Sequence, residues 1–251
     1  MFNKIRIIGY VSLAAFVGLN IAGTAAYADD GAVTLDSEIP RIDRHEYDEV
    51  KTATFALGCF WGGDARFGAV PGVIRTRVGY AGGTTEDPTY YNLGDHTESI
   101  QVDYYPEQVN FVDLVDIFWA YHNPTSRSHS TQYANVLYYH DTEQKKIAEE
   151  SKRRIEGELD KKVHTQVKEM GRFYPAEDYH QKYRLRGSGV FFDELNSIYS
   201  DPDNFRDSTA AARLNGFLAG NGSGDYVKEV IDELGLSDQA REELLQRLKL
   251  S

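Results

Sequence analysis

Cysteine is nearly absent: Cys59 is the only one in 251 residues. A single thiol excludes an internal disulfide and any metal centre built on several sulfurs. The seven histidines are scattered, and no two stand four apart as a helical zinc pair requires. No Walker sequence and no GxGxxG occurs, so nothing supports nucleotide binding. Positive charge is also short, with 27 Lys and Arg against 39 Asp and Glu for a formal net charge of −12. Such a chain repels nucleic acid and anionic membrane, and neither is expected as a partner. No internal repeat suggests a solenoid or propeller.

What remains is an ordinary globular composition, 41% hydrophobic and 26% charged. That is enough for one well-buried core with appendages. Residues 1–28 stand apart. Lys4 and Arg6 precede an apolar run from Ile7 to Ala26, and Ala26-Tyr27-Ala28 is a small-x-small cleavage pattern, so the segment reads as a secretory signal peptide. An uncleaved membrane tether is the rival reading, since about 20 apolar residues can span a bilayer. Cleavage removes two positive charges and no negative ones, leaving a formal charge of −14. The expected location is periplasmic or extracellular, an oxidising place where a lone reactive thiol must draw its electrons from outside the polypeptide.

Residues 29–50 are polar and acidic and read as a linker. From Thr52 to Leu57 the pattern predicts a buried strand, then a helix up to Val70, broken by Pro71-Gly72. Val73 to Tyr80 alternates as a strand, and a loop spans Thr84 to Thr97. Glu98 to Tyr104 predicts a half-buried strand with Ile100, Val102 and Tyr104 on one face. Asn110 caps a helix whose Phe111, Leu114, Val115 and Phe118 form a core-facing stripe. Ala134 to Tyr139 is a strand, Asp141 with Gln144 resembles a capping box for a helix from Thr142 to about Glu156, and Val163 to Val167 is a strand. The order β-α-β-β-α-β-α-β predicts an α/β (α+β) sandwich, a mixed sheet covered by helices. Residues 187–251 read as a helical C-terminal extension, interrupted at Gly220-Asn221-Gly222-Ser223-Gly224, with Ser237 capping its last helix.

Cys59 lies in Gly58-Cys59-Phe60-Trp61-Gly62, at the junction of a predicted strand and helix. A helix N-terminus stabilises a thiolate, so a lowered pKa is expected there. Phe60 and Trp61 offer an apolar wall for a small substrate. A buried, inert cysteine is the bland alternative, but the flanking glycines, poor helix formers, argue against it. Glu98 opens an apolar alternating strand, where a carboxyl with a raised pKa can donate a proton near neutral pH; locally, a solvated loop acid explains it as well. Tyr133 is a candidate hydroxyl donor, though core packing fits it locally. His180 is a candidate base, with a structural histidine as the alternative.

Six strings occur in order: Gly58-Cys59-Phe60-Trp61-Gly62, Val78-Gly79-Tyr80-Ala81-Gly82-Gly83, Pro88-Thr89-Tyr90, His96-Thr97-Glu98, Thr131-Gln132-Tyr133 and Tyr179-His180-Gln181-Lys182-Tyr183. Together they resemble peptide methionine sulfoxide reductase A over about Thr52 to Arg186. The resemblance implies a ferredoxin-like plait of that family's type, with residues 51–186 as the catalytic domain. It implies thiol-dependent reduction of methionine S-sulfoxide, free or in oxidised proteins, without a metal or other cofactor. By the same resemblance Cys59 is the nucleophile, Phe60 and Trp61 hold the S-methyl group, Glu98 protonates the sulfoxide oxygen, and Tyr90 and Tyr133 bind it. The chemistry agrees, because oxide leaves sulfur only with protons supplied opposite an attacking thiolate.

Two departures from the family pattern matter. There is no resolving cysteine, so the sulfenic acid left on Cys59 must be reduced by an external thiol such as thioredoxin, glutaredoxin or glutathione. Ser128 stands where some relatives carry aspartate. A monomer is expected. The rival readings are a thiol hydrolase or acyltransferase pairing Cys59 with His180 or His96, and a non-catalytic redox sensor.

Overall fold

The computed structural model describes residues 39–250; the proposed signal segment lies outside them. Among the described residues one sheet has six strands: β1 (Lys51–Leu57), β2 (Val73–Ala81), β3 (Thr97–Tyr104), β4 (Asn135–Tyr139), β5 (Gln166–Glu169) and β6 (Phe173–Pro175), in the order β5-β4-β1-β3-β2-β6. All pairs are antiparallel except β4 with β5. The sheet is therefore mixed, and helices pack on it as the patterning requires.

Three local differences from the sequence reading have physical causes. β3 is not half-buried: seven of its eight residues are buried, because β1 and β2 flank it and both faces are covered. Its polar residues Glu98 and Ser99 are thus inside. The strand expected from Val163 starts three residues later, since the His164 N–H is bonded to the Pro124 carbonyl at 2.7 Å and pairing with β4 begins at Gln166. The short edge strand β6 has too few residues to show a period.

The helix α1 (Phe60–Gly68) follows β1 directly. Gly58 makes the turn with φ +81°, a conformation that L side chains rarely adopt. α2 (Phe111–Ala120) starts with a complete capping box between Asn110 and Asp113. α3 (Thr142–Leu159) has half of one. Asp141 accepts from the Gln144 N–H, but the Gln144 side chain turns to the His140 N–H (3.0 Å) and the Thr52 carbonyl (2.8 Å), pinning the helix to β1. Under α1 and α2, Phe55 stacks on Phe67 at 4.7 Å and on Phe118 at 5.5 Å.

The C-terminal region is helical: α4 (Tyr183–Arg186), α5 (Val190–Ile198), α6 (Pro202–Asp207), α7 (Thr209–Leu218), α8 (Gly224–Val230) and α9 (Asp238–Arg247), the last capped by Ser237. It has its own apolar cluster, built on Phe191, Leu195, Phe205, Leu214, Phe217 and Leu244. α7 lies backbone-to-backbone on α1. A Cβ on Gly68 would stand 2.5 Å from the Ala212 carbonyl oxygen, and one on Gly216 2.6 Å from that of Ala65. Buried Arg213 of α7 donates to the Gly68 carbonyl at 2.6 Å and to the Val73 carbonyl, satisfying groups at the end of α1 and the start of β2. From residue 39 the acidic stretch before β1 is anchored here too. Ile42 is buried in the same cluster, and Asp43 accepts from the Thr209 N–H at the start of α7 (2.5 Å).

Candidate active site

Where β1 hands over to α1, the first backbone N–H groups of the helix have no partner within it. One of them is spent on a side chain from a distant strand. The Phe60 N–H donates to Glu98 Oε2 at 3.0 Å. Cys59 is the N-cap residue and its side chain makes no capping hydrogen bond; the Gly62 N–H bonds the Cys59 carbonyl at 3.3 Å, and the Trp61 and Gly62 dipoles favour a thiolate on the sulfur without holding it. A thiol and a carboxyl are thereby held side by side at one helix terminus, although 38 residues separate Phe60 from Glu98 in sequence. The β2–β3 register puts Glu98 opposite Tyr80 at the end of the sheet nearest α1.

Cys59 is exposed, whereas Glu98 is buried. Desolvation pushes the Glu98 carboxyl up, against the pull of the Phe60 N–H and the Gln132 side chain, whose Nε2 donates to Glu98 Oε1 at 2.8 Å. Desolvation also pushes the Cys59 thiol up, and the Glu98 charge adds to it. The two N–H groups and the Arg184 charge pull the other way and are outweighed. The expected lowering by the helix terminus is therefore present as a force but is not the net direction. The thiol and the acid oppose each other's ionisation, so a protonated Glu98 favours the thiolate.

Tyr133 stands beside this pair. Its phenol is pushed up to about 12 by desolvation, the Glu98 charge, and the neighbouring Tyr90 and Cys59. Tyr133 therefore keeps its hydroxyl proton at neutral pH. The loop carrying Tyr133 is sewn to β3, since the Glu98 N–H donates to the Gln132 carbonyl (2.9 Å) and the Thr97 hydroxyl to that of Thr131 (2.9 Å). Tyr90 is held by its N–H on Glu177 Oε1 at 3.0 Å, and Tyr80 donates to the other oxygen at 2.7 Å. Desolvation would raise Glu177, but these donors outweigh it and hold it below the usual range.

The apolar wall is aromatic. Phe60 is buried, with its ring 5.1 Å from that of His180. Trp61 stacks on Tyr183 at 3.6 Å and 5°, and donates its indole N–H to His180 Nδ1 at 3.1 Å. The Tyr90 ring is 4.7 Å from His180 as well. His180 is thus a hub, buried and neutral: desolvation lowers its pKa, and Glu177 opposes that only in part.

Every site residue picked from the sequence, Cys59, Phe60, Trp61, Tyr90, Glu98 and Tyr133, lies in this one region. Four that were given no part in the pocket belong to it: Gln132, Glu177, Tyr183 and His180 as a hub. Their signal was adjacency, since Gln132 precedes Tyr133 and the other three flank or share one quoted string. His180 does not suit a hydrolytic base, because the lone pair on Nδ1 takes the Trp61 proton. His96 does not either, with Nδ1 on the Gly83 N–H (3.3 Å) and Nε2 on the Thr85 carbonyl (2.8 Å). Ser128 closes its own exposed turn on Ser130.

The sequence profile of a family described as "Peptide methionine sulfoxide reductase" matches residues 51–198. The chain belongs to that family. A peptide methionine sulfoxide reductase of Drosophila melanogaster is 42% identical over 197 residues, 76% of this chain and 77% of the relative. An MsrA of Methanothermobacter thermautotrophicus is 43% identical over 142 residues, 52% of this chain and 84% of that protein. Among solved structures, reduced Mxr1 of Saccharomyces cerevisiae aligns with TM-score 0.54 at 28% identity, covering 57% of this chain and 90% of that one. The methionine sulfoxide reductase A of Corynebacterium diphtheriae aligns with TM-score 0.50 at 30% identity, covering 57% and 77%. This reductase is an A-type oxidoreductase that converts peptide-methionine (S)-S-oxide to methionine at the expense of an external thiol. Its cysteine count fits the one-cysteine form of the family.

Proposed function

We propose that Cys59 attacks the sulfoxide sulfur while Glu98 and the hydroxyls of Tyr90 and Tyr133 take charge of its oxygen. The observation that carries this is that the Phe60 N–H at the α1 N-terminus holds the buried Glu98 carboxyl beside Cys59, the N-cap residue of the same helix. Phe60 and Trp61 receive the S-methyl group, with Trp61 locked between His180 and Tyr183 so that little freedom is lost on binding. Proton delivery by Glu98 makes the oxygen a leaving group. The S–O bond breaks as the bond from Cys59 to the substrate sulfur forms, releasing water and leaving a sulfonium. Water then adds to the Cys59 sulfur, the S–S bond breaks with its electron pair going to methionine, and Cys59 is left as sulfenic acid. One external thiol then forms a mixed disulfide and releases water; a second displaces it and restores Cys59.

Substrates are free methionine sulfoxide and the oxidised side chains of proteins. The reductant class spans thioredoxin, glutaredoxin and glutathione. No metal takes part. The enzyme works as an exported monomer, in the periplasm or outside the cell, on the strength of the 1–28 pattern. Residues 51–186 carry the chemistry, and 187–251 are an added helical piece.

The test uses separated R and S epimers with dithiothreitol. Turnover of S alone is expected, and one equivalent of S sulfoxide without reductant should yield one methionine and a Cys59 adduct with dimedone. Cys59→Ser should abolish both signals. A Cys59→Ser protein that still reduces sulfoxide at the parent rate contradicts the assignment.

A further inference from the structure

On one side of the aromatic wall, between the catalytic strings and the C-terminal helices, lies a cavity of about 490 Å³. Tyr179, Tyr183 and Leu218 line it together with three arginines, Arg184, Arg186 and Arg247. Three cations and no carboxylate in the lining are unexpected on a chain of net charge −12. Arg184 and Arg247 make no ion pair among the described residues, although carboxylates outnumber cations on this chain. Asp178 acts on Arg186 only as a neighbouring charge.

Arg186 is held through its side chain and Arg184 through its backbone. Arg186 donates Nε to the Gln181 carbonyl at 2.9 Å, and its guanidinium lies 5.4 Å from the Phe192 ring and 4.9 Å from that of Phe205. The backbone of Arg184 is clamped by Asn215 of α7, whose Oδ1 accepts from the Arg184 N–H at 2.9 Å and the Leu185 N–H at 3.1 Å. Asn215 Nδ2 reaches the buried Asp64 of α1 at 3.1 Å, and Asp64 pairs with the buried Lys182 at 3.3 Å. Arg247 ends α9. Two of the seven lining residues, Leu218 and Arg247, therefore come from α7 and α9, and Asn215 of α7 fixes the backbone of a third, Arg184.

The cavity flanks the aromatic wall that stands beside Cys59. Tyr183 stacks on Trp61, two residues from Cys59, and the Arg184 charge acts on the thiol itself. The size falls within the range of about 300–1,000 Å³ usual for small-ligand sites, so it suits a molecule of a few residues better than a protein. We infer that this arginine cavity is the docking site of the reductant, a small thiol bearing carboxylates, held by Arg184, Arg186 and Arg247 with its sulfur over Cys59. The inference rests on recycling by an external thiol. Two such thiols reduce the sulfenic acid to Cys59 thiol, giving water and their own disulfide, so electrons and atoms balance.

The test compares glutathione, an anionic thiol, with uncharged dithiothreitol, using parent, Arg247→Gln and Arg247→Glu enzymes. Arg247→Gln is expected to raise KM for glutathione about two- to five-fold, the range of one exposed charge contact, and Arg247→Glu more. KM for dithiothreitol and for the sulfoxide should stay at the parent value. S-methylglutathione, which cannot react, should inhibit the glutathione-driven reaction competitively in the parent and weakly in Arg247→Glu. An unchanged ratio of the two thiols in Arg247→Glu overturns the inference, as does a shift in KM confined to acidic peptide sulfoxides. Failure of every thiol, dithiothreitol included, strikes instead at the recycling chemistry.

Discussion

A thiol and a carboxyl that share one helix terminus cannot both ionise cheaply, and the chemistry exploits that conflict at the residue scale. Sulfoxide reduction needs Cys59 without its proton and Glu98 with one. Both groups are held above their ordinary values and the carboxyl titrates below the thiol, so the single-turnover rate should rise with pH up to the raised Glu98 pKa, level off, and fall above the raised thiol pKa. Glu98→Gln should slow methionine release by about 10²–10⁴-fold and remove the falling limb. Stopped-flow release of methionine across pH reads both; a limb that survives in Glu98→Gln assigns the acid elsewhere. Gln132 and the Phe60 N–H tune this carboxyl without touching the sulfur.

At the scale of elements, the junctions set the geometry. Gly58 must hold φ +81° for β1 to deliver Cys59 to the start of α1, and a Cβ there meets nothing within 4 Å. Gly58→Ala should therefore cost about 1–2 kcal/mol, the left-handed penalty alone, visible as a lower urea midpoint. The α1–α7 crossing is limited by contact instead. Gly216→Val would drive side-chain carbon into the Ala65 carbonyl and the Ala69 side chain, at an expected cost of about 1–3 kcal/mol. Because α1 carries Trp61 and Cys59, the same variant should raise KM for sulfoxide. Denaturation and steady-state kinetics on one preparation separate the two effects.

Across the whole molecule, stability should depend on pH through three histidines that the fold desolvates. His122, His140 and His180 are each pushed down by desolvation, and all make hydrogen bonds suited to neutral rings, to Thr165, Thr54 and Trp61. With folded values below the unfolded value, the unfolded chain binds more protons in that window. Their contribution is thus complete above about pH 6.5 and is lost as pH falls below it. Chemical denaturation at pH 7.5 and 5.5 should show the lower midpoint at pH 5.5; equal midpoints would mean these rings stay accessible to protons.

Much of this protein is readable from its residues in order. Period-2 and period-3.6 patterns located five of the six strands and the principal helices, because each pattern is local and strongly repeated. The lone cysteine between glycine and two aromatics, with the five later strings, indicated the reaction, since those residue types in that order have little other use. What the chain alone could not fix is where long-range forces compete. The direction of the Cys59 shift depends on desolvation and the Glu98 charge against two α1 N–H groups and an arginine, from three separate segments. Burial of β3 on both faces depends on its neighbours in the sheet. Assigning His180 to Trp61 rather than to proton transfer, and giving Asn215 a hold on the loop beside the site, required the C-terminal helices to be folded onto α1. Local sequence sets which chemistry is available; the dielectric and the partners that decide its direction exist only once distant segments meet.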